Sequence, residues 1–264
     1  MGKLYERDDI YDLLESPSRD TITRKHYETV FSGKSIRTLL DVSIGTGSMT
    51  LPIAELGIAI SGSDLSQNML DRCRKKCGAR NIPATLVCSD FRTVSEKFGE
   101  QFDCVASTGN SLGYVSNEDV LKALEQMDAL VKPGGYLYLD LRNWDMILEK
   151  KPRYYLYNPS FIGETRVNLM QFWDYLPDGT VDFNLLYTFE QNNRIMQTEH
   201  FVEHYIPIPR QLIVDKLQSL GYQDLETMLM PAHFGSFDPV TSEWYPLHIK
   251  TKQTNKTKTQ DDSK

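Results

Sequence analysis

The stretch from Arg37 to Asp64 combines short apolar runs with one segment of helical spacing. Thr38–Val42 is an apolar run typical of a strand buried on both faces of a parallel sheet. Residues 48–56 then carry apolar side chains at the spacing of a helix with one buried face. A second apolar run begins at Ile58 and ends at the acid Asp64. The pattern therefore predicts a strand, a glycine turn at 43–47, a helix and a second strand closed by an acid.

The same alternation continues along the first half of the chain. Ser66 is the predicted N-cap of a helix over 67–77, and a second helix is expected over 118–131. Apolar runs predict three further strands, at 83–87, 102–106 and 136–141. We therefore predict an α/β protein with a Rossmann-like, mostly parallel sheet.

The pattern changes after Arg142. Three stretches have strand character, and Pro177-Asp178-Gly179 and Asn192-Asn193 are good hairpin turns between them. The stretches are Thr165–Tyr175, Thr180–Gln191 and Ile195–Ile206. They predict an antiparallel insertion that folds across the mouth of the site. A helix over 209–220 and strands over 222–230 and 245–250 then complete the main sheet with an antiparallel edge.

These elements suggest a division into four parts. We expect an N-terminal helical lid at 1–36, a core at 37–142 and 207–250, an insertion at 143–206 and a disordered tail at 251–264. The N-terminal segment carries Arg19 and several tyrosines, so it fits a lid over a ligand. It fits equally well a solvated helix packed on the edge of the sheet.

Composition narrows the classes of function. The 264 residues have a formal net charge of −7, which disfavours a nucleic-acid surface because backbone binding draws on clustered Lys and Arg. No apolar run is long enough to span a bilayer, and the first 20 residues are too charged for a signal peptide. We therefore expect a cytoplasmic protein with reduced cysteines, a possible homo-oligomer that binds neither nucleic acid nor membrane. His200 and His204 lack a third partner of suitable spacing, so no metal site is predicted.

The glycine turn is the first candidate for chemistry. Gly45 and Gly47 suit a loop whose backbone comes close to a ligand, and Asp64 is placed to accept both hydroxyls of a ribose. NAD and S-adenosylmethionine both use that geometry, and a purely structural turn is the third alternative. The dinucleotide fingerprint needs a small residue where this chain has the branched Thr50. The form Asp41-x-x-x-Gly45-Thr46-Gly47 instead resembles the first motif of class I S-adenosylmethionine-dependent methyltransferases, so we expect that methyl donor as the cofactor.

Polar residues follow the next two strands at the crevice where open α/β sheets bind ligands. Asp90 and Phe91 come after the third strand, where they suit the amino group and ring of an adenine, although Asp90 is equally suited to cap a helix. Small polar residues, 107–111, follow the fourth strand. The Asn/Asp-Pro-Pro-Tyr/Phe motif of enzymes that methylate DNA bases is absent there, which disfavours nucleic acid a second time.

A more specific resemblance lies around strand five. Gly109-Asn110-Ser111, together with Lys132-Pro133-Gly134-Gly135 and the run 140–148 (DLRNWDMIL), resembles glycine and glycine/sarcosine N-methyltransferases. The resemblance is strong from about Thr38 to Leu148 and weak over most of the remaining chain. The chain departs from the family pattern in its shorter N-terminal arm, at Trp144, where Tyr is usual, and at Tyr114, where a His is expected.

This resemblance implies roles at matching positions. Arg142 matches the arginine that grips an amino-acid carboxylate, and Asn110 faces the same substrate. The implied substrate-side residues are Asn110, Arg142, Tyr155, Tyr187 and Tyr245. The candidate cofactor-binding residues are Arg19, Asp41, Ser43, Gly45, Gly47, Asp64, Leu65, Met69, Asp90, Phe91 and Thr108.

The resulting hypothesis is an N-methyltransferase that acts on a small amino acid such as glycine or sarcosine. A sulfonium methyl is already activated, so the free amine needs only to lie in line behind it. The alternatives are a methyltransferase of another small metabolite amine, such as an amino sugar, and a non-catalytic protein that binds S-adenosylmethionine. An NAD-dependent oxidoreductase is the weakest alternative.

Overall fold

A computed structural model describes residue 4 and residues 7–13 and 17–252 of the chain. Seven α-helices lie in this part: α1 Asp8–Tyr11, α2 Pro17–Val30, α3 Leu51–Ala54, α4 Gln67–Arg80, α5 Asn117–Ala129, α6 Trp144–Lys150 and α7 Arg210–Ser219. Its strands are β1 Thr38–Asp41, β2 Ala59–Asp64, β3 Ala84–Cys88, β4 Phe102–Ser107, β5 Val131–Arg142, β6 Tyr154–Leu156, β7 Ser160–Ile162, β8 Thr165–Tyr175, β9 Val181–Gln191, β10 Arg194–Tyr205, β11 Tyr222–Thr227 and β12 Trp244–Lys252. From residue 253 onward, the tail predicted at 251–264 lies outside the described residues.

The main sheet has seven strands in the order β11-β12-β5-β4-β1-β2-β3. Neighbouring strands among β1 to β5 pair in parallel, whereas β12 pairs antiparallel with both β5 and β11. The buried side chains of β1, Leu39 and Leu40, pack into two different core clusters, one for each face of the sheet. The predicted parallel sheet with an antiparallel last strand is confirmed.

A second, antiparallel sheet lies between Tyr154 and Tyr205. Its strand order is β10-β9-β8-β6, and β7 pairs with the other end of β8. The turn from β9 to β10 places Asn192 and Asn193 in the left-handed region, with φ of 50° and 59°. Asn tolerates that region, and two such residues match the right-handed twist of a hairpin. Both predicted hairpin turns are therefore confirmed, at 177–179 and 192–193.

Several predicted elements differ in their bounds from the helices and strands of the structure, and two of these differences have a clear physical reason or consequence. The helix expected over 48–56 is the single turn Leu51–Ala54, and Pro52 lies at its start because proline has no N–H for a helix interior. Strand five begins at Val131 rather than at Tyr136, and its pairing with β4 shifts register between Phe102 and Cys104. The predicted cap of α4 is confirmed, since the Ser66 hydroxyl accepts a hydrogen bond from the Met69 N–H group.

Two further observations concern metal binding and membrane-spanning helices. The described ranges contain no group of three or more His, Cys, Asp or Glu side chains arranged to hold a metal ion. His200 and His204 each have a neighbour instead, Asn184 at 3.0 Å and Asp182 at 2.7 Å. In the part of the chain that the structure describes, no helix has the length and apolar character needed to cross a bilayer.

The start of β1 depends on a carboxylate from β4. Asp103 accepts hydrogen bonds from the N–H groups of Arg37 (2.9 Å) and Thr38 (3.0 Å) and from Lys132 Nζ (2.8 Å). Burial raises the pKa of Asp103, but these hydrogen bonds outweigh it and bring the pKa to about 2. The folded state therefore has a lower pKa than the unfolded chain, whose Asp pKa is about 4. This stabilisation is complete above pH 4 and is lost as the pH falls toward 2.

We expect Asp103→Asn to lower the free energy of unfolding at pH 7 by about 1–2 kcal/mol, because the amide accepts fewer and weaker hydrogen bonds. The difference from the wild type should shrink as the pH falls toward 2. Urea unfolding at pH 7 and pH 3 measures both effects, and Asp215→Asn on the exposed face of α7 is the control. An equal difference at the two pH values would contradict the assignment.

Candidate functional site

A cavity of about 610 Å³ opens at the carboxyl ends of the parallel strands. The N-terminal helices, the strand ends and the second sheet all contribute to its wall. Its volume is typical of a site for a ligand of drug or cofactor size. The predicted site residues that line it are Arg19, Ser43, Gly45, Asp64, Leu65, Asp90, Phe91, Thr108 and Tyr187.

The glycine turn forms the floor of the cavity. Gly45 has φ of +55°, and a Cβ added to it would enter open space beside the cavity. The Gly45 N–H group donates to Asp64 Oδ2 (2.9 Å), which joins the turn to the end of β2. Gly47, with φ of +84°, does not line the cavity, and a Cβ there would lie 2.8 Å from Leu51 Cγ. The first glycine thus leaves room for a ligand, and the second allows the helix to pack.

Asp41 lies below the turn and does not touch the cavity. It is fully buried, and it accepts hydrogen bonds from the Ser43 N–H group (3.0 Å), the Thr108 hydroxyl (2.7 Å) and the Thr50 hydroxyl. Burial raises the pKa of Asp41, and these hydrogen bonds oppose that shift. The expected cofactor contact at Asp41 is therefore replaced by a supporting role. Met69 is also buried and lies outside the cavity wall.

Asp64 has the geometry expected of a residue that binds a ribose. Its Oδ1 accepts the Ser66 N–H group (2.8 Å) and its Oδ2 accepts Gly45 N–H. Burial raises the pKa of Asp64, while the Ser66 and Gly45 N–H groups oppose the rise. A carboxylate offers about four lone pairs, so two remain for the hydroxyl groups of a ligand. Together with the open space at Gly45, these acceptor oxygens fit the ribose hydroxyls of S-adenosylmethionine.

The adenine side of the site is less open than the sequence suggests. Phe91 and Leu65 line the cavity, and 58% of Leu65 is exposed to it or to solvent, so an apolar surface is available for a ring. Asp90 also lines the cavity, but its two oxygens already accept hydrogen bonds from the Arg92 guanidinium. These bonds hold the pKa of Asp90 below its usual value. An adenine amino group would have to share this carboxylate with Arg92.

The N-terminal segment covers the turn. Asp12 accepts a hydrogen bond from the Thr46 hydroxyl (2.7 Å) and pairs with Arg72 and Lys76 of α4. Tyr11 and Arg19 consequently reach the cavity wall. The lid itself stays a prediction, and residues 1–3, 5–6 and 14–16 of the predicted lid lie outside the described part.

His26 connects this lid to another part of the wall. Its Nδ1 accepts the Ala232 N–H group (2.8 Å), and its Nε2 lies 2.8 Å from the Tyr138 hydroxyl. Nδ1 is therefore the acceptor, and Nε2 carries the proton. Burial lowers the pKa of His26 to about 4, so the ring is neutral at pH 7. The ring fixes the backbone beside Met230 and Pro231, which also line the cavity.

Arg142 lies beside the cavity and not in its wall. Its guanidinium carbon is 4.4, 5.0 and 4.9 Å from the ring centroids of Trp244, Trp173 and Phe183. Trp244 touches both the guanidinium and the cavity. Only 6% of Arg142 is exposed, and no carboxylate of the described residues forms a salt bridge with it. The protein therefore buries a cation against three aromatic rings.

The other substrate-side candidates divide into three cases. Asn110 is buried next to Arg142, and its Oδ1 accepts the Arg142 N–H group (3.0 Å). Tyr155 lies outside the cavity wall, 5.4 Å between ring centroids from Tyr157, which does line it. Tyr245 is 1% exposed and packs against Phe237 in the core. Tyr245 thus lies outside the cavity wall, because β12 directs this side chain into the core, and its role at the substrate stays a prediction.

Sequence reasoning missed several residues of the cavity wall. The sequence singles out Tyr114 only as a departure from a family pattern, and it gives Tyr157 no role. The missed residues include Tyr11, Thr23, His26, Tyr114, Tyr157, Gln171, Leu185 and Trp244. Gln171 and Leu185 lie on strands of the second sheet, where period-two alternation identifies the inner face but does not say what that face covers.

Comparison with known proteins agrees with this geometry. Residues 39–135 match the family model described as a methyltransferase domain. A glycine/sarcosine N-methyltransferase from Aphanothece halophytica is 28% identical over 196 residues, which are 72% of this chain and 68% of that protein. A glycine/sarcosine/dimethylglycine N-methyltransferase from Actinopolyspora halophila is 26% identical over 245 residues, 87% of this chain and 40% of that protein.

The fold is shared with solved enzymes. The structure of an amino pentose methyltransferase from Micromonospora echinaspora, with S-adenosylmethionine bound, matches with a TM-score of 0.72 at 17% identity. The match covers 94% of this chain and 97% of that one. The matched domain, the fold and the cavity make this chain an S-adenosylmethionine-dependent methyltransferase.

We expect Asp64→Asn to weaken the binding of S-adenosylhomocysteine about tenfold, because one acceptor oxygen and the negative charge are lost. Isothermal titration calorimetry measures the affinity, and thermal unfolding shows whether the turn is intact. Asp71→Asn on the exposed face of α4 is the matched control and should bind normally. Equal affinities for a folded Asp64→Asn variant and the wild type would remove Asp64 from the ribose site.

Proposed function

We propose that this S-adenosylmethionine-dependent methyltransferase methylates the amine of a small amino acid such as glycine or sarcosine. The observation that carries the proposal is the buried guanidinium of Arg142, which has no anionic partner among the described residues. A buried charge is costly unless it is paired. The carboxylate of an amino acid would supply the missing anion and could accept two parallel hydrogen bonds from the guanidinium.

Asn110 supports the same assignment. Its backbone has φ of +58°, its N–H group donates to Asp140 Oδ1 (3.0 Å), and its Oδ1 holds the backbone of Arg142. Its Nδ2 is buried and has no hydrogen-bond partner among the described residues. The Asn110 side chain therefore binds the backbone of Arg142 with its oxygen and leaves its Nδ2 donor unused among the described residues. A carboxylate bound here would satisfy both groups.

The aromatic residues suit the chemistry of the transfer. S-adenosylmethionine, when bound, supplies an activated methyl group, so the acceptor amine needs orientation more than activation. Tyr187 is 3% exposed and lines the cavity, and burial raises the pKa of its hydroxyl, which stays protonated. Its neutral hydroxyl can orient an amine, while Leu169 and Leu185 exclude water from the same wall.

The relatives add independent support. Two proteins of similar sequence, from Aphanothece halophytica and Actinopolyspora halophila, have names that include glycine and sarcosine as substrates. This chain spans about two thirds of the first and two fifths of the second, so the acceptor remains part of the proposal.

Ordered titration tests the acceptor directly. The protein is saturated with S-adenosylhomocysteine in a calorimeter, and glycine, sarcosine and dimethylglycine are then added separately. We expect at least one of them to bind to the complex, followed by methylation of that amino acid in a turnover assay. Binding of the cofactor product without binding or methylation of any amino acid would overturn the proposed acceptor class.

Arg142→Lys should lower kcat/KM for the amino acid about 100-fold, because lysine lacks the planar fork that binds a carboxylate bidentately. Binding of S-adenosylhomocysteine should not change. Arg153→Lys is the matched control, since Arg153 is an exposed arginine near the second sheet that pairs with Asp174. A folded Arg142→Lys variant with full activity would point to an acceptor without a carboxylate, such as an amino sugar.

A further inference from the structure

Glu203 is a buried carboxyl group that the mechanism above does not use. It lies on the inner face of β10 and is 3% exposed. Neither of its side-chain oxygens has a hydrogen-bond partner among the described residues. Glutamate is rarely buried without a partner, since the loss of hydration is then not compensated. A carboxyl group buried in this way is expected to bind a ligand or to carry a proton.

Glu203 and Arg142 flank the same aromatic residue. Glu203 is the cross-strand partner of Phe183, and the Phe183 ring centroid lies 4.9 Å from the Arg142 guanidinium carbon. Yet the two opposite charges form no salt bridge with each other. An amino acid carries the two complementary charges, a carboxylate and an ammonium, separated by one carbon atom. The charges of Arg142 and Glu203 thus complement the carboxylate and the ammonium of a zwitterionic amino acid.

Tyr114 connects Glu203 with the cavity. It lies in the short helical turn Ser111–Tyr114 and lines the cavity wall. Its hydroxyl is 2.6 Å from that of Tyr205, a second tyrosine on β10. The neighbouring Tyr114 side chain also lowers the pKa of Glu203 and partly opposes the effect of burial, which raises it. The Tyr114 hydroxyl is therefore placed to pass a proton from the cavity to the buried carboxylate.

We propose, building on the amino-acid acceptor argued above, that Glu203 is a positioning residue that accepts the ammonium proton of the acceptor through the Tyr114 hydroxyl. The ammonium gives one proton to Tyr114 while Tyr114 gives its own to Glu203, which leaves a neutral amine and a neutral carboxyl group. The amine lone pair then forms the new N–C bond, and the sulfur keeps the electron pair of the broken S–C bond. The methylated product leaves as an ammonium, and Glu203 later returns its proton to solvent.

The electrostatics of the described residues suit this role. Burial raises the pKa of Glu203 to about 7, which is close to the pH at which a general base works best. The titratable side chains that face it are Tyr114, Tyr187 and Tyr205, and Arg142 lies beyond Phe183. Burial raises the pKa of Tyr187 and holds that of Tyr205 at about 12, so both stay neutral at pH 7. Glu203 is thus the member of this group that changes charge near neutral pH.

The test compares pH profiles of kcat/KM for wild type, Glu203→Gln and Tyr114→Phe with the amino acid that the wild type methylates. In the wild type, activity should fall as the pH drops through about 7, because Glu203 becomes protonated. Both variants should lose about 100-fold at pH 7, which is typical of a lost proton acceptor, and their rates should keep rising with pH as more free amine is present. Binding of S-adenosylhomocysteine should be unchanged.

Glu190→Gln, in which a carboxylate of the same sheet is neutralised, is the control and should retain the wild-type profile. A folded Glu203→Gln variant with the wild-type rate and profile would overturn the role of Glu203 and leave the amino-acid acceptor standing. If Glu203→Gln does not fold, Tyr114→Phe decides in the same way. If the wild type methylates no amino acid, the proposed function and this inference both fail.

Discussion

A single buried carboxylate supports the whole ligand-binding edge of the sheet. Asp41 ends β1 and binds the Ser43 N–H group, the Thr108 hydroxyl after β4 and the Thr50 hydroxyl before α3. The hydrogen bonds offset the cost of removing this group from water, and they fix the glycine turn against two neighbouring strand ends. The turn can therefore present Gly45 and the Asp64 carboxylate to a ligand in a preformed geometry. Because the support lies under the ligand site, its effect on binding is indirect.

The second sheet adds an apolar wall, and the buried charges of Arg142 and Glu203 lie beside that wall and not in it. Trp173 and Phe183 stack with 4.2 Å between ring centroids, and both lie within 5.0 Å of the Arg142 guanidinium carbon. Aromatic faces attract a cation and compete with a carboxylate less than an acidic side chain would. The Arg142 guanidinium therefore forms no salt bridge with the described residues, and its low-dielectric surroundings would strengthen a hydrogen bond to a ligand. Glu203 pairs across the strands with Phe183 of the same sheet, and the proposed amino-acid acceptor would complement both charges.

The N-terminal helices are joined to the core by polar contacts and by apolar packing, in which Ile10 of α1 and Tyr27 and Val30 of α2 are buried. Asp12 contacts the glycine turn and α4, and Arg7 pairs with Glu199 of the second sheet at 3.1 Å. The partly exposed pair contributes little stability, whereas the more buried Asp12 contacts contribute more.

The sequence by itself determined the elements whose cause is local. The parallel strands, the Ser66 cap, the Asn192-Asn193 hairpin turn and the glycine turn each follow from periodicity or backbone preference within a few residues. Tertiary structure decided the contacts between residues far apart in the chain. It directed Tyr245 into the core and brought Tyr11 and Trp244 to one cavity. These outcomes depend on how the N-terminal helices and second sheet pack on the main sheet, and hydrophobic periodicity specifies which face is buried but not which partner covers it.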